Sequence, residues 1–369
     1  VVAGRSIAAA ALLIAVGCSG DPIQPDTRLA ILTTQVGYSP HNVISAVVTI
    51  EVEGADSVAV EFGLTGGPLD DTTPGSAVSG SDPAFVPVFG LLPNSTYEFR
   101  AVAWNGGRLQ RGPVLPLSTG ALPGELPQFT ASGPGPSPGY VALALDPYGI
   151  VIDNNGRVVW YHRFPDGSGL NFQAQPNGRY VARPPSSSPS DPGPFVEIDP
   201  MGRVMRTLGC ARGLRTRFHD LLVEPEGSYW ILCDETRVMD LSALGGRSSA
   251  NVTGSVVQRL GANGDLLFEW SAFDHFEIGD LDAVERSGAD VNWTHANALD
   301  LDEDGNLLVS FRNISEITKI DVTNGQVIWR MGGNQERVCH RRICLAAVCS
   351  AARREGGWRR RSLTPRQPG

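Results

Sequence analysis

The sequence has one lysine, Lys319, against 29 arginines, and only four methionines in 369 residues. It has no apolar run long enough to cross a bilayer as a helix; the best, Ile7 to Val16, is too short. No long stretch carries the 3.6-residue periodicity of an amphipathic helix, which sets aside helical and α/β classes and leaves an all-β chain. Positive charge is scarce where a body would need it for nucleic acid: residues 1–336 hold 21 basic and 38 acidic residues, so no nucleic-acid partner is expected. Metal-ligand spacing is missing too. Asp300 to Gly305 begins like a calcium loop, but Phe311 stands at the twelfth position, where a bidentate glutamate is needed, so the run reads as an acidic hairpin turn. No metal and no cofactor are expected.

What the chain has in excess is turns, with 43 glycines and 27 prolines. Trp293 to Gly333 shows the pattern best. Three apolar runs, at Leu307–Phe311, Ile317–Ile320 and Val327–Trp329, are separated by Asp304-Gly305 and Asn324-Gly325, pairs that take positive φ cheaply. A unit of about 40 residues built this way matches a four-stranded propeller blade. The closing turn recurs at Asn155-Gly156, Met201-Gly202, Asn263-Gly264 and Asn324-Gly325, spaced 46, 62 and 61 residues apart. A second series, Asn177-Gly178, Glu226-Gly227 and Asp304-Gly305, precedes three of them. His295, Asn297 and Arg312 are polar groups at strand ends in this region.

Ahead of the repeats, residues 28–120 alternate as a small β-sandwich, and Leu91 to Ala103 resembles the late strand of a fibronectin type III domain, with Tyr97 placed like a corner tyrosine. Tyr97, Phe99 and Ala101 should face its core. Residues 121–139 read as a Pro/Gly-rich linker and residues 140–333 as an incomplete propeller of about four blades. Residues 1–18 have the form of an export signal: Arg5, a short apolar run, then Ala15-Val16-Gly17-Cys18, which resembles a lipobox with Cys18 as the lipidated residue. An ordinary secretory signal is the other reading. Either places the protein outside the cytoplasm, in the periplasm or as a membrane-anchored lipoprotein. In such a compartment Cys210 and Cys233 could pair, which spacing alone does not settle.

Arg217-Phe218-His219-Asp220, Trp293-Thr294-His295-Ala296-Asn297, Ser310-Phe311-Arg312-Asn313 and Ile328-Trp329-Arg330-Met331-Gly332-Gly333 together resemble the bacterial aryl-sulfate sulfotransferases. The resemblance implies an Ig-like sandwich followed by a six-bladed propeller. It also implies nucleotide-independent transfer of a sulfuryl group from an aryl sulfate donor to a phenolic acceptor through a sulfated histidine. Arg312 would hold two sulfuryl oxygens with its planar fork. His295 and Asn297, two apart and so expected on one face of an extended strand, would donate to the same oxyanion. His219 would protonate the leaving phenolate or deprotonate the acceptor. Asp220 would orient an imidazole or cap a turn. His41, His162 and His275 are read as structural.

The resemblance breaks at the end of the chain. The family's sulfated histidine lies beyond the Gly-Gly, whereas residues 334–369 lose strand alternation, carry Cys339, Cys344 and Cys349, and hold nine arginines with one acid from Arg337 onward. They read as an aberrant basic tail, as an out-of-frame or damaged gene end would produce, and His340 takes no role. The expectation is therefore a sulfotransferase-like protein that is truncated and inactive in this form. The alternative is a non-catalytic exported propeller that binds a ligand or partner.

Overall fold

The structure, a computed structural model, describes residues 28–333 apart from 81, 134, 136, 168, 170, 186–192 and 282. Cys18 with the export signal and the basic tail from 334 lie outside the described residues. The chain is all-β, with four single-turn 3-10 segments and no α-helix among the described residues. It divides into two compact units. One takes in the chain to Gly37 with Val47–Val86 and Thr96–Leu117; the other holds Tyr38–Ala46, Pro87–Ser95 and the chain from Ser118.

In the first unit, Ser57–Leu64 pairs antiparallel over its full length with Thr96–Asn105. Tyr97, Phe99 and Ala101 are buried while Glu98 and Arg100 are not, as two-residue alternation requires. Glu61 receives Arg100 and Arg111 on the polar face, and these bonds hold its carboxyl below the usual range.

The second unit carries four sheets. Blade 1 has three strands, Val141–Leu145, Tyr148–Ile152 and Val158–Arg163. Blade 2 has Phe172–Ala174, Tyr180–Ala182, Phe195–Ile198 and Val204–Leu208 in simple meander order. Blade 3 has Arg215–Val223, Tyr229–Met239, Ala250–Leu260 and Leu266–Ser271, and a short extra strand, Asp290–Asn292, lies parallel to its third strand. Blade 4 has Ala296–Leu301, Leu307–Phe311, Glu316–Ile320 and Val327–Gly332.

The two glycine series of the sequence turn out to be two hairpin positions. Gly178, Gly227 and Gly305 close the hairpin between first and second strands, and Gly156, Gly202, Gly264 and Gly325 the one between the last two. All seven have φ between 75° and 97°, a region an L side chain rarely enters. Each outer hairpin is followed by a register shift in the ladder, as at Val151/Ile152 and Lys319/Ile320, which adds twist to the blade. The acidic run at residues 300–305 forms the hairpin between the first and second strands of blade 4, closed by Gly305. The chain's one lysine neutralises it: Lys319 Nζ lies 2.7 Å from Asp302 and 2.6 Å from Asp304, which holds the Asp304 carboxyl down at about 2.

Apolar faces meet between successive blades. Trp160, Phe172 and Ile198 fill the space between blades 1 and 2, and Phe195, Leu221 and Ile231 that between blades 2 and 3. The largest cluster, with Trp230, Trp270, Trp293 and Phe311, joins blades 3 and 4. Asp220 is the polar tie among the first strands. It is buried, and its two oxygens accept from Gln173 Nε2 of blade 2 and the Leu299 amide of blade 4, each at 2.9 Å. It thus ties three blades together, which neither sequence reading of this residue foresaw.

Candidate active site

The first strand of blade 3 is where regular pairing fails. Thr216 is opposite Cys233 and Leu221 is opposite Ile231, so the four residues Arg217 to Asp220 face the single residue Leu232. A bulge of this size removes its residues from the ladder and re-aims their side chains. Asn171 holds it from blade 2, donating to the His219 carbonyl at 2.6 Å. A disulfide between Cys210 and Cys233, Cα atoms 6.1 Å apart, sits at its base, and the Cys210 amide donates to Thr216 Oγ1.

A second irregularity faces it. His295 precedes the first strand of blade 4 with φ 51°, and a register shift between Ala296 and Ala298 places Asn297 at a bulge. The expectation that His295 and Asn297 share one face of an extended strand therefore does not hold: alternation cannot carry across a left-handed residue. His295 is pinned from several sides. Its carbonyl accepts from the Arg312 amide at 3.0 Å. The Thr294 hydroxyl donates to Ser255 Oγ, and the Ala296 amide donates to the same oxygen.

The two irregular segments bring their imidazoles together. Nε2 of His219 and Nε2 of His295 are 2.9 Å apart, and Nδ1 of His295 is 2.7 Å from Asn292 Nδ2. Two guanidinium groups flank the pair. Arg217 is buried and ion-paired with Asp234, its Nε having no hydrogen-bond partner. Arg312 is exposed, and its guanidinium makes no hydrogen bond or ion pair among the described residues. Burial, then Arg217, then Arg312 push the His219 imidazole down to about 4. Burial, Arg217, His219 and Arg312 push His295 down to about 3. Both rings are neutral at physiological pH. A cavity of about 320 Å³ opens beside them, walled by Arg217, Phe218, Asp234, Val291, Asn292 and His295. Neutral imidazoles beside the unpaired charge of Arg312, with Arg217 balanced by Asp234, form a place for an anion with proton donors and acceptors at hand.

Of the sequence-derived site residues, His219 and His295 are in contact, and Arg312 is tied to His295 through the backbone and acts on both rings through its charge. Asn297 is half-buried at its bulge. Arg217, Asn292 and Asn171 were missed. Arg217 stands in the quoted Arg-Phe-His-Asp run, two residues from His219, and that spacing was its only signal; Asn292 and Asn171 have none. Arg330 and the Gly-Gly pair are structural. Arg330 is bound to Glu316 and Asp280, and a Cβ at Gly332 would lie 2.5 Å from the Ser315 carbonyl. His275 stacks on Trp270 and binds the Ser271 carbonyl. His162 is buried among His41, Trp160 and Phe164, and burial with the nearby His41 pushes it to about 4.

These three depressed histidines set an acid limit on stability. Unfolded histidine titrates near 6.5, whereas the folded rings stay neutral to about 4, 4 and 3. Between those limits the unfolded chain binds more protons than the native one, so stability rises with pH there. Thermal melts should therefore show an unfolding temperature that falls steadily as pH drops from about 6.5 towards about 4, and His162→Gln should shallow that slope. A flat profile over this window would contradict the buried neutral rings.

The family model described as Arylsulfotransferase (ASST) matches residues 138–342, more than half of the chain and all four blades. No curated protein matches by sequence. Among solved structures, a protein of unknown function from Bacteroides caccae aligns with a TM-score of 0.32 at 15% identity, over 53% of this chain and 58% of that one. The chain thus spans little more than half the length of that protein. Hydrazine synthase of Kuenenia stuttgartiensis aligns with a TM-score of 0.35 at 13% identity, over 78% and 83% of the two chains. A redesigned β-sandwich protein aligns with a TM-score of 0.21 at 27% identity, over 25% and 96%. Alignments at these scores establish no shared function. The family match stands on its own, and by it the chain belongs to the arylsulfotransferase family.

Proposed function

We propose that the protein acts in nucleotide-independent transfer of a sulfuryl group from an aryl sulfate to a phenol. The observation that carries this reading is the contact between two neutral imidazoles flanked by Arg217 and Arg312. Sulfuryl transfer resembles phosphoryl transfer: charge lies on peripheral oxygens, and attacking and leaving oxygens are in line, so positioning and electrostatics dominate. Arg312 offers its uncommitted fork to those oxygens, and the aryl ring fits the cavity against Phe218 and Val291. The bond from sulfur to the aryl oxygen breaks with its electron pair on that oxygen, which takes a proton from an imidazole N–H. In the return step the acceptor phenol gives its proton to a bare imidazole nitrogen as its oxygen attacks sulfur. In the family scheme a histidine nitrogen bonds to sulfur as the aryl oxygen leaves, and that sulfur–nitrogen bond breaks, its electron pair returning to nitrogen, as the acceptor oxygen attacks. The Nε2 atoms of His219 and His295 face each other, so neither is aimed at an incoming sulfur, and we assign that role to no described residue. Export belongs to the same reading and is supported by the Cys210–Cys233 disulfide, which persists in oxidising compartments.

The anion site tests this. An anion between the guanidinium groups offsets their push on the imidazoles, so binding raises the histidine pKa values and takes up protons. Calorimetric titration with sulfate and with 4-nitrophenyl sulfate should show affinity that increases as pH falls from about 7 to about 5. Arg312→Ala should abolish most of it, and nitrophenol release should depend on added phenol. Binding that ignores both pH and Arg312 would sink the assignment. Anion binding with no transfer would leave a binding module instead.

A further inference from the structure

We propose that Asn292 is a positioning residue that fixes the tautomer of His295: its amide N–H donates to Nδ1, so the ring proton sits on Nε2 and is shared with Nε2 of His219. When both rings are neutral, an Nε2-to-Nε2 contact of 2.9 Å is bridged by one proton. Which ring brings it depends on what the other nitrogens bind. Nδ1 of His295 faces Asn292 Nδ2 at 2.7 Å, a donor, and so must be the bare nitrogen. His295 then carries its proton on Nε2, and His219 accepts there and keeps its own on Nδ1.

The backbone is built to hold this bond. Asn292 ends the extra parallel strand, in register with Thr253 of blade 3. The Trp293 amide donates to the Thr253 carbonyl at 2.9 Å. Asn313, from the turn after the second strand of blade 4, donates to the Asn292 carbonyl at 2.6 Å. At the other end His295 is locked in its left-handed conformation by Ser255, Thr294 and Arg312. Both ends of this four-residue span are thus held by blades 3 and 4, which keeps the two backbone positions at a set spacing.

The consequence is a prior assignment of donor and base. When an anion opens the pair, His295 presents an N–H to it and His219 presents a lone pair to a phenol. That catalytic consequence rests on the sulfuryl-transfer reading; the tautomer does not.

Proton–nitrogen correlation spectra of nitrogen-labelled histidines in the full chain at neutral pH would read the tautomer directly, with His295 assigned by its loss in His295→Gln. The wild type should show His295 bare at Nδ1 and protonated at Nε2. Asn292→Asp places a carboxylate, which only accepts, against Nδ1, and should move the proton to Nδ1 and reverse the pattern in both rings. Asn292→Ala should give a mixture. A merely structural asparagine would leave the ring pattern unchanged in both variants. A wild-type His295 protonated at Nδ1, or an unaltered pattern in Asn292→Asp, overturns the proposal. The expected pattern in a protein that binds no sulfate would fail the proposed function alone.

Discussion

In an enzyme with the family's sulfated histidine in place, Arg312→Ala should lower sulfate transfer from 4-nitrophenyl sulfate to a phenol by at least about 100-fold, the scale of losing one charge-stabilising donor in a preorganised site. Its guanidinium is exposed and makes no hydrogen bond or ion pair among the described residues, so the substitution removes charge from the site without leaving a partner stranded. Folding should therefore be unaffected, and the loss should sit in transition-state stabilisation. Arg312→Lys should recover little, because an ammonium cannot span two oxygens as a planar fork does. His219→Ala and His295→Ala should fall on the same scale through loss of proton transfer. His275→Ala, whose ring is spent on Trp270 and a backbone carbonyl, should leave turnover nearly intact. Turnover near the wild-type level in Arg312→Ala would remove the arginine from the reaction.

The largest effect on stability is expected at Asp234. It and Arg217 are both buried and bonded to each other, with Arg217 on the bulge and Asp234 on the neighbouring strand. Removing one member of such a pair leaves an uncompensated charge away from water, a cost of about 3–5 kcal/mol. Asp234→Ala should therefore lower the unfolding free energy read from urea titration by that amount, and Arg217→Ala by a comparable one. Replacing both with apolar residues, Arg217→Met with Asp234→Leu, should restore most of the stability, since a buried ion pair adds little over well-packed hydrocarbon. The double variant should nevertheless bind sulfate poorly. A loss below about 1 kcal/mol in Asp234→Ala would place the pair in the range of solvent-screened surface bridges.

How far the sequence could be read depended on which rule governed each stretch. Strand alternation and turn glycines are local, and they located the blades, the hairpins and the all-β class; Gly156 to Gly325 fell in the turns because few other residues accept φ near 80°. Alternation failed where the backbone leaves the ladder. Nothing in Arg-Phe-His-Asp announces a four-residue bulge, and nothing around His295 announces a left-handed residue. Those two departures bring the imidazoles together across 76 positions of chain. The contributions of Asn292 and Arg217 follow from that meeting and were invisible without it. Asp220 shows the converse: its place beside a histidine in the sequence suggested chemistry, whereas its oxygens tie Gln173 to Leu299.

The pairing of Lys319 with two aspartates has a practical side. A protease that cuts only after lysine has one bond in this chain to attack, between Lys319 and Ile320. That bond lies in the third strand of blade 4, and the side chain the protease must grip is buried and held by Asp302 and Asp304. Cleavage thus waits on the opening of one blade and yields two fragments of fixed size. At high protease, where cleavage outpaces reclosing, their rate of appearance reads how often the strand that carries Lys319 opens.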